Sequence, residues 1–171
     1  MKAVYFHNLE KAGTIIGRDT PGPDMTITIS PVQRHQFADW LRLRDAVYTG
    51  LDRDFHLQEM EVYFNDPDKG CLLAADARGL VCGMVELSLR NVVDGCLSSP
   101  VGYVEGIYVD ASQRGAGIAR LLMQHAEAWC RSRGCGEIAT DAELDQLEAQ
   151  RFHEHMGFQE TYRIVEYRKP L

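Results

Sequence analysis

The sequence predicts a mixed α/β domain with the element order β-α-α-β-β-β-α-β-α-β. Three observations carry this reading. Val101 to Val109 is rich in β-branched and aromatic residues, Gly115 and Gly117 follow, and then Ile118, Ala119, Leu122, Met123, Ala126, Trp129 and Cys130 recur at helical spacing. That succession reads as a strand, a glycine-bearing turn and an amphipathic helix. Upstream, Cys71 to Ala77 and Leu80 to Arg90 flank Arg78-Gly79 as the two arms of a hairpin. Downstream, Gly136 to Thr140, Asp145 to Met156 and Phe158 to Lys169 pass from a strand to a helix and back to a strand period.

Taken in order, Thr26 to Ser30 alternates as a first strand, and Ser30-Pro31-Val32-Gln33 reads as a helix start with Ser30 as cap. Phe37, Trp40, Leu41, Val47 and Tyr48 give that helix one apolar face, which ends at Gly50. A second helix is expected from Phe55 to Phe64, with Leu57, Met60 and Phe64 inward and His56, Glu59 and Glu61 on a solvated face. Asp66 to Gly70 is a turn signal. In the second hairpin arm, Val81, Gly83, Val85, Leu87 and Leu89 form one apolar face. The other face, from Cys82 and Met84 to Glu86 and Ser88, is expected to be buried only at its start. Asn91 to Pro100 reads as a loop, Arg133-Gly134 as a helix stop and Gly157 as another.

The composition bounds the function. A chain of 171 residues, 45% hydrophobic and 25% charged, suits one globular domain. Residues 1–24 carry glycines and prolines without a period, so they are expected to be an extension to a domain spanning 25–171. The net charge of −7 argues against nucleic acid and suits a cationic ligand. No apolar run has membrane-span length. The five cysteines form no C-x-x-C pair, which points to reduced core thiols rather than a zinc site or disulfide framework. Ala3 to Phe6 is too short for a signal core, and the expected compartment is the cytoplasm.

A glycine turn at a helix start is an anion site, because free N–H groups and the positive dipole end meet a backbone without side chains. The bare alternative is a tight strand-to-helix turn. The spacing Arg114-x-x-Gly117-x-Ala119 is neither a dinucleotide fingerprint nor an ATP-binding loop. It resembles the R/Q-x-x-G-x-G/A motif of the GCN5-related N-acetyltransferases. Gln146-x-x-Ala149-x-x-Phe152-His153-x-x-x-Gly157-Phe158 is similar to that family's closing segment. The resemblance covers roughly 25–171. It implies an α/β (α+β) fold with a mixed, mostly antiparallel central sheet flanked by helices, and acetyl-CoA as co-substrate without a metal. By the same resemblance, the backbone of Ile107, Tyr108 and Val109 would receive the thioester. Arg114, Gly115, Ala116, Gly117, Ile118, Ala119 and Arg120 would cradle the pyrophosphate, and Gln146 would join the cofactor set.

Glu105 shares strand parity with Val101, Tyr103, Ile107 and Val109, where a carboxylate is costly to bury unless it is paired or faces a cleft. Alternatively, a bulge at Gly106 shifts the parity and leaves Glu105 exposed. Asp141, at the end of the next strand, is either a ligand contact or a turn aspartate. Where the family commonly places a proton-donating tyrosine this chain has His153, which is either that donor or a packed structural histidine.

Five further segments, Trp40 to Arg44, His56 to Met60, Ser98 to Val109, Ala139 to Asp141 and Gly157 to Thr161, look like the aminoglycoside 6′-N-acetyltransferases, cytoplasmic dimeric enzymes that inactivate antibiotics such as kanamycin and tobramycin. This implies that Glu105 and Asp141 bind the antibiotic, that Asp141 is the candidate base, that Tyr48 is an aromatic substrate contact and that the chain is a homodimer. Val92 and Tyr162 depart from residues some relatives carry at substrate-contacting positions. An acetyltransferase for polyamines or another small amine is the alternative, followed by a non-catalytic acyl-CoA sensor, for which the two carboxylates would have no use.

Overall fold

The computed structural model describes residues 26–171. The expected extension over 1–24 and the domain start at Met25 lie outside the described residues. The elements are β1 (Thr28–Pro31), α1 (Phe37–Val47), α2 (Arg53–Asn65), β2 (Lys69–Ala75), β3 (Val81–Arg90), β4 (Val101–Val109), α3 (Ile118–Arg131), β5 (Ile138–Thr140) and α4 (Leu147–His155). The described residues build a five-stranded sheet in the order β1-β2-β3-β4-β5. Its pairs are antiparallel except β4 with β5, which run parallel.

The sheet buries both faces. On one, α1 and α2 bring Trp40, Leu43, Val47, Met60 and Tyr63 onto Leu73, Val81 and Met84. On the other, α3 packs Ile118, Leu122, Met123 and Ala126 against Val85, Leu87, Val104 and Ile107. Apolar residues at helical spacing thus place α3 beneath the centre of the sheet.

Three expectations change. First, Ser30 and Pro31 belong to β1, not to a helix start. The capping box is formed by Gln33 and Gln36 around a single 3₁₀ turn, Arg34–Gln36, that leads into α1. Main-chain pairing with Leu72 and Leu73 on β2 outweighs the local capping signal. Second, Phe158 to Lys169 forms no strand. Its alternation gives Tyr162, Ile164, Glu166 and Arg168 on one side and Arg163, Val165 and Tyr167 on the other, so neither side is apolar. Among the described residues no strand pairs with its backbone, and from Gln159 onward the segment is exposed, while Phe158 packs on the core.

Third, the polar face of β3 does not turn to solvent. Glu86 is 0% exposed and accepts three hydrogen bonds, from Trp40 Nε1 (2.7 Å), Arg44 Nη1 (2.5 Å) and Tyr48 Oη (2.7 Å). Arg44 is itself buried, and desolvation is the largest single influence on it, yet its pKa is raised because the Glu86 charge, Tyr48, the Glu86 hydrogen bond and Tyr63 together outweigh that penalty. His56, expected on a solvated face, is buried beside this pair. Arg44 Nε donates to His56 Nδ1 at 3.4 Å, so the ring proton sits on Nε2, 3.3 Å from Asp45 Oδ1.

A buried ion pair is costly to break from one side, because the remaining charge is stranded in a low-dielectric interior. Glu86→Gln keeps the shape and leaves Arg44 uncompensated. The expected loss is about 3–5 kcal/mol, read by urea unfolding. A loss below about 1 kcal/mol would show that Arg44 finds another counter-charge.

Candidate active site

The site begins with a mismatch between β3 and β4. Glu86 pairs with Gly106 and Leu87 with Val104, so Glu105 is an extra residue, a β-bulge. Before it, Gly102 and Val104 face α3: a β-carbon on Gly102 would lie 2.2 Å from Cys130 Sγ, and Val104 packs in the α3 core. After it, Ile107 and Val109 face α3. Glu105 and Gly106 therefore both face α1. A β-carbon on Gly106 would lie 2.5 Å from Tyr48 Oη, which is why glycine stands there.

The bulge also ends the pairing with β5. Gly102, Tyr103 and Val104 pair with Ile138, Ala139 and Thr140, and Thr140 Oγ1 donates to the Val104 carbonyl at 3.1 Å. Beyond that point β5 stops, and β4 runs on to Val109 with no strand beside its β5-side edge among the described residues. The strands part at Glu105 on one side and Asp141 on the other. Both line a cleft of about 1670 Å³, with Arg90, Tyr103, His153 and residues of the C-terminal segment. Among the described residues the lining holds ten Asp and Glu against three arginines, a negative balance suited to a polycation.

Glu105 is a cleft residue, and it is buried and paired. Its carboxylate accepts from Ser88 Oγ at 2.5 Å and from Arg90 Nη2 at 3.0 Å to each oxygen. Both readings of the sequence thus hold in part: the bulge exists, yet it points the carboxylate inward. Asp141 is exposed and accepts from Tyr103 Oη at 2.5 Å. Burial, and then the Asp141 carboxylate, push the Tyr103 phenol well above its ordinary range, so it stays a donor.

His153 lies in the cleft wall between Phe152 and Phe158, at ring centroid distances of 5.3 and 5.5 Å. It is 7% exposed, and among the described residues neither ring nitrogen has a hydrogen-bond partner. Burial takes its pKa down to about 4, against a smaller upward pull from Asp141. It is a neutral imidazole at neutral pH.

Tyr48, expected to contact substrate, is not on this cleft. It is buried under the bulge, bonded to Glu86 and facing the Arg44 guanidinium 4.8 Å from its ring centroid. Val92 and Tyr162 do line the cleft. Sequence reasoning missed Ser88, Arg90 and Tyr103, although Ser88 and Arg90 share strand parity with Glu86, and Tyr103 with Glu105.

The glycine turn lies outside the cleft lining. Gly115 and Gly117 have φ of 81° and 79°, the left-handed region that favours glycine. A β-carbon on either would meet nothing within 4 Å. Gly117 is the residue before α3, and no side chain caps that helix start. Ile118, Ala119 and Arg120 therefore present helix N–H groups beside open space. Arg114 Nε donates to the Val109 carbonyl at 3.1 Å and ties the turn to the end of β4. Gln146 precedes α4 and does not line the cleft. Ile107, Tyr108 and Val109 occupy the unpaired end of β4. Open glycines, a free helix start and an unpaired strand edge together fit the pyrophosphate and amide groups of a coenzyme A chain.

A family model described as the acetyltransferase (GNAT) family matches residues 36–158. The chain belongs to that family. It is 40% identical over 146 residues to an aminoglycoside N(6′)-acetyltransferase type 1 of Acinetobacter genomosp. 13, covering 85% of this chain and 99% of the relative. It is 37% identical to the protein of that name from Serratia marcescens, with 77% and 91% covered. Among solved structures, it superposes on aminoglycoside 6′-N-acetyltransferase AAC(6′)-Ih of Acinetobacter baumannii with a TM-score of 0.80 at 36% identity, covering 85% and 99%. AAC(6′)-Iy, in complex with the bisubstrate analogue CoA-S-monomethyl-acetylneamine, matches with a TM-score of 0.82 at 32% identity and the same coverage. The GNAT fold, with its mixed and mostly antiparallel sheet, is thus the fold of this chain. Among the described residues, no helix is long and apolar enough to cross a membrane.

The buried imidazole generates a pH dependence. In the unfolded chain His153 titrates near 6.5, and in the fold at about 4. Between those values the unfolded state binds a proton that the folded state excludes, so stability falls as pH drops from 6.5 to 4. The His153 contribution to that loss reaches roughly 3 kcal/mol at the acidic end. His153→Phe should flatten the loss between pH 7.5 and pH 4.5, measured by urea unfolding at both. An unchanged pH slope would place the sensitivity elsewhere.

Proposed function

We propose that the chain transfers the acetyl group of acetyl-CoA to the 6′-amine of aminoglycoside antibiotics, by direct attack while both substrates are bound. The observation that carries this reading is the pair Glu105 and Asp141 at the point where β4 and β5 part, in an acidic cleft. A polyamine antibiotic brings several ammonium groups, and fixed carboxylates in a partly dry cleft are their natural partners.

The roles divide by environment. The N–H groups at the start of α3, from Ile118 to Arg120, with the open backbone at Gly115 and Gly117, hold the pyrophosphate. The free edge of β4 from Ile107 to Val109 offers main-chain donors to the thioester oxygen as it gains charge. Acetyl-CoA supplies the activated acyl carbon. An alkylammonium has a pKa of roughly 10 and must lose a proton before it attacks. Asp141, the exposed carboxylate, takes that proton directly or through water. The C–N bond forms, the C–S bond breaks, the acylated nitrogen releases its second proton to solvent, and the departing thiolate takes one up from solvent. His153 cannot deliver that proton as an imidazolium at neutral pH, because it is neutral there. Its unpartnered N–H is a hydrogen-bond donor at the cleft wall. Glu105, already held by Ser88 and Arg90, anchors charge rather than moving protons.

The reading includes a homodimer. Tyr162, Ile164, Val165 and Tyr167 are 46%, 55%, 71% and 93% exposed in a segment that alternates like a strand and, among the described residues, has none beside it. A second copy would supply the neighbour. Light scattering should give twice the monomer mass, and a monomer at micromolar concentration would remove this part of the reading. The reading places the enzyme in the cytoplasm and needs neither membrane nor nucleic acid. The free thiols of Cys71, Cys82, Cys96, Cys130 and Cys135 suit a reducing compartment.

The test is turnover of acetyl-CoA with tobramycin, with an aminoglycoside bearing a 6′-hydroxyl, and with spermidine, with mass spectrometry of the product. Tobramycin should be acetylated once, on the 6′-nitrogen. The 6′-hydroxyl compound should bind, because most of its ammonium groups remain, and should not turn over appreciably. Acetylation on another amine would overturn the regiochemistry, and turnover with spermidine alone would overturn the substrate class.

A further inference from the structure

Asp141 stands just past a three-residue strand, exposed, where a carboxylate on its own would sample several rotamers. Among the described residues its side chain has one hydrogen-bond donor, the Tyr103 hydroxyl at 2.5 Å. Tyr103 is itself fixed. It is 6% exposed, it pairs with Ala139 on β5 and Ser88 on β3, and its ring lies under the Arg90 guanidinium, 3.3 Å from carbon to ring centroid. Arg90 is in turn held by both oxygens of Glu105. A continuous chain therefore runs from the bulge to the end of β5: Glu105, Arg90, Tyr103, Asp141.

We propose that Tyr103, braced by Arg90, is a positioning residue that fixes Asp141 for proton transfer. The hydroxyl occupies Oδ1 and leaves Oδ2 for the incoming amine or its bridging water. It also confines the carboxylate to one orientation before substrate arrives. Positioning of this kind raises the rate of the chemical step without adding affinity for either substrate. Arg90 does two things in the same chain. It neutralises Glu105, which sets that carboxylate apart from Asp141, and it keeps the Tyr103 ring in place. This inference rests on the acetyltransferase reading above and on Asp141 as the proton acceptor.

The experiment is a double-mutant cycle on Tyr103→Phe and Asp141→Asn, with tobramycin and acetyl-CoA as substrates and thermal melting to verify folding. Phenylalanine keeps the ring and its stack on Arg90 and removes only the hydroxyl. Tyr103→Phe should lower kcat about 10-fold with the KM for acetyl-CoA unchanged, within the range expected of a misplaced acid or base. Asp141→Asn should lower kcat by about 10²-fold or more. In the Asp141→Asn background, Tyr103→Phe should have no further effect, because the group it acts through is gone. A merely structural role would give the same loss in both backgrounds and would overturn the proposal. So would an unchanged kcat for Tyr103→Phe beside a large loss for Asp141→Asn, in which case Asp141 remains the acceptor. If Asp141→Asn keeps full turnover, the proton-acceptor reading falls first and this inference falls with it. Should Tyr103→Phe not fold, Arg90→Lys carries the same comparison: it keeps a charge for Glu105 and removes the flat stack. Its expected loss in kcat is about 3-fold, absent from the Asp141→Asn background. An Arg90→Lys enzyme with unchanged kcat would then overturn the proposal.

Discussion

Between Val104 and Gly106, β4 carries one residue more than β3 can pair, and that residue is Glu105. A strand with an extra residue bends and twists locally. Here the bend does three things together. It puts two consecutive residues on the α1 face, ends the pairing with β5, and leaves the last part of β4 with a free edge. The bend needs support from below, because Gly106 presses on Tyr48 and Tyr48 is held by Glu86. Glu86 in turn is held by Trp40 and Arg44 from α1. The buried polar cluster therefore belongs to the site, although none of its members lines the cleft. It fixes the floor on which the bulge rests.

Charge is arranged in two layers. The inner layer, Glu86 with Arg44, is dry and fully bonded, and it serves position. The outer layer, Glu105 with Arg90 and Asp141 with Tyr103, meets the cleft, where the proposed chemistry takes place. Glu105 and Asp141 looked alike in the sequence, two carboxylates at adjacent strands. Their surroundings separate them. One is buried against a guanidinium, while the other is exposed and touched by a single neutral donor. That difference in partners is what supports the proposed division, Glu105 as an anchor and Asp141 as the proton acceptor.

Much of this was legible in the residues. The strand, glycine turn and helix from Val101 to Cys130 formed as the periodicity demanded, because an apolar stripe as continuous as that of α3 has only one way to be buried. Gly106 flagged the bulge, since a strand glycine without a turn needs a local reason. The inner layer was not legible. Glu86 and Ser88 follow Met84 as polar residues on an alternating strand, which is also the pattern of a solvated face. The donors to Glu86 come from α1 and its C-terminal end, about forty positions away in the chain, and Ser88 donates instead to Glu105 on β4; no local signal announces either pairing. The burial of Tyr48 against Glu86 was hidden for the same reason: an aromatic residue at a helix end reads equally as a contact or a strut. The last segment failed differently. Phe158 to Lys169 has a strand period but no apolar side, and a period without a face to bury does not make a strand in one chain. Its exposed tyrosines and aliphatics are the part of the sequence that this single chain leaves unused.

In the proposed function, the parting of β4 and β5 separates two binding places, a coenzyme edge along Ile107 to Val109 and a carboxylate end at Glu105 and Asp141. Backbone ¹H–¹⁵N shifts, followed while each substrate is titrated alone, test this directly. Acetyl-CoA should move the amides of Ile107, Tyr108 and Val109 together with those of Gly115 to Arg120, and tobramycin should move those around Asp141 and Glu105. Acetyl-CoA binding that leaves the amides of residues 107–109 unmoved would contradict the account.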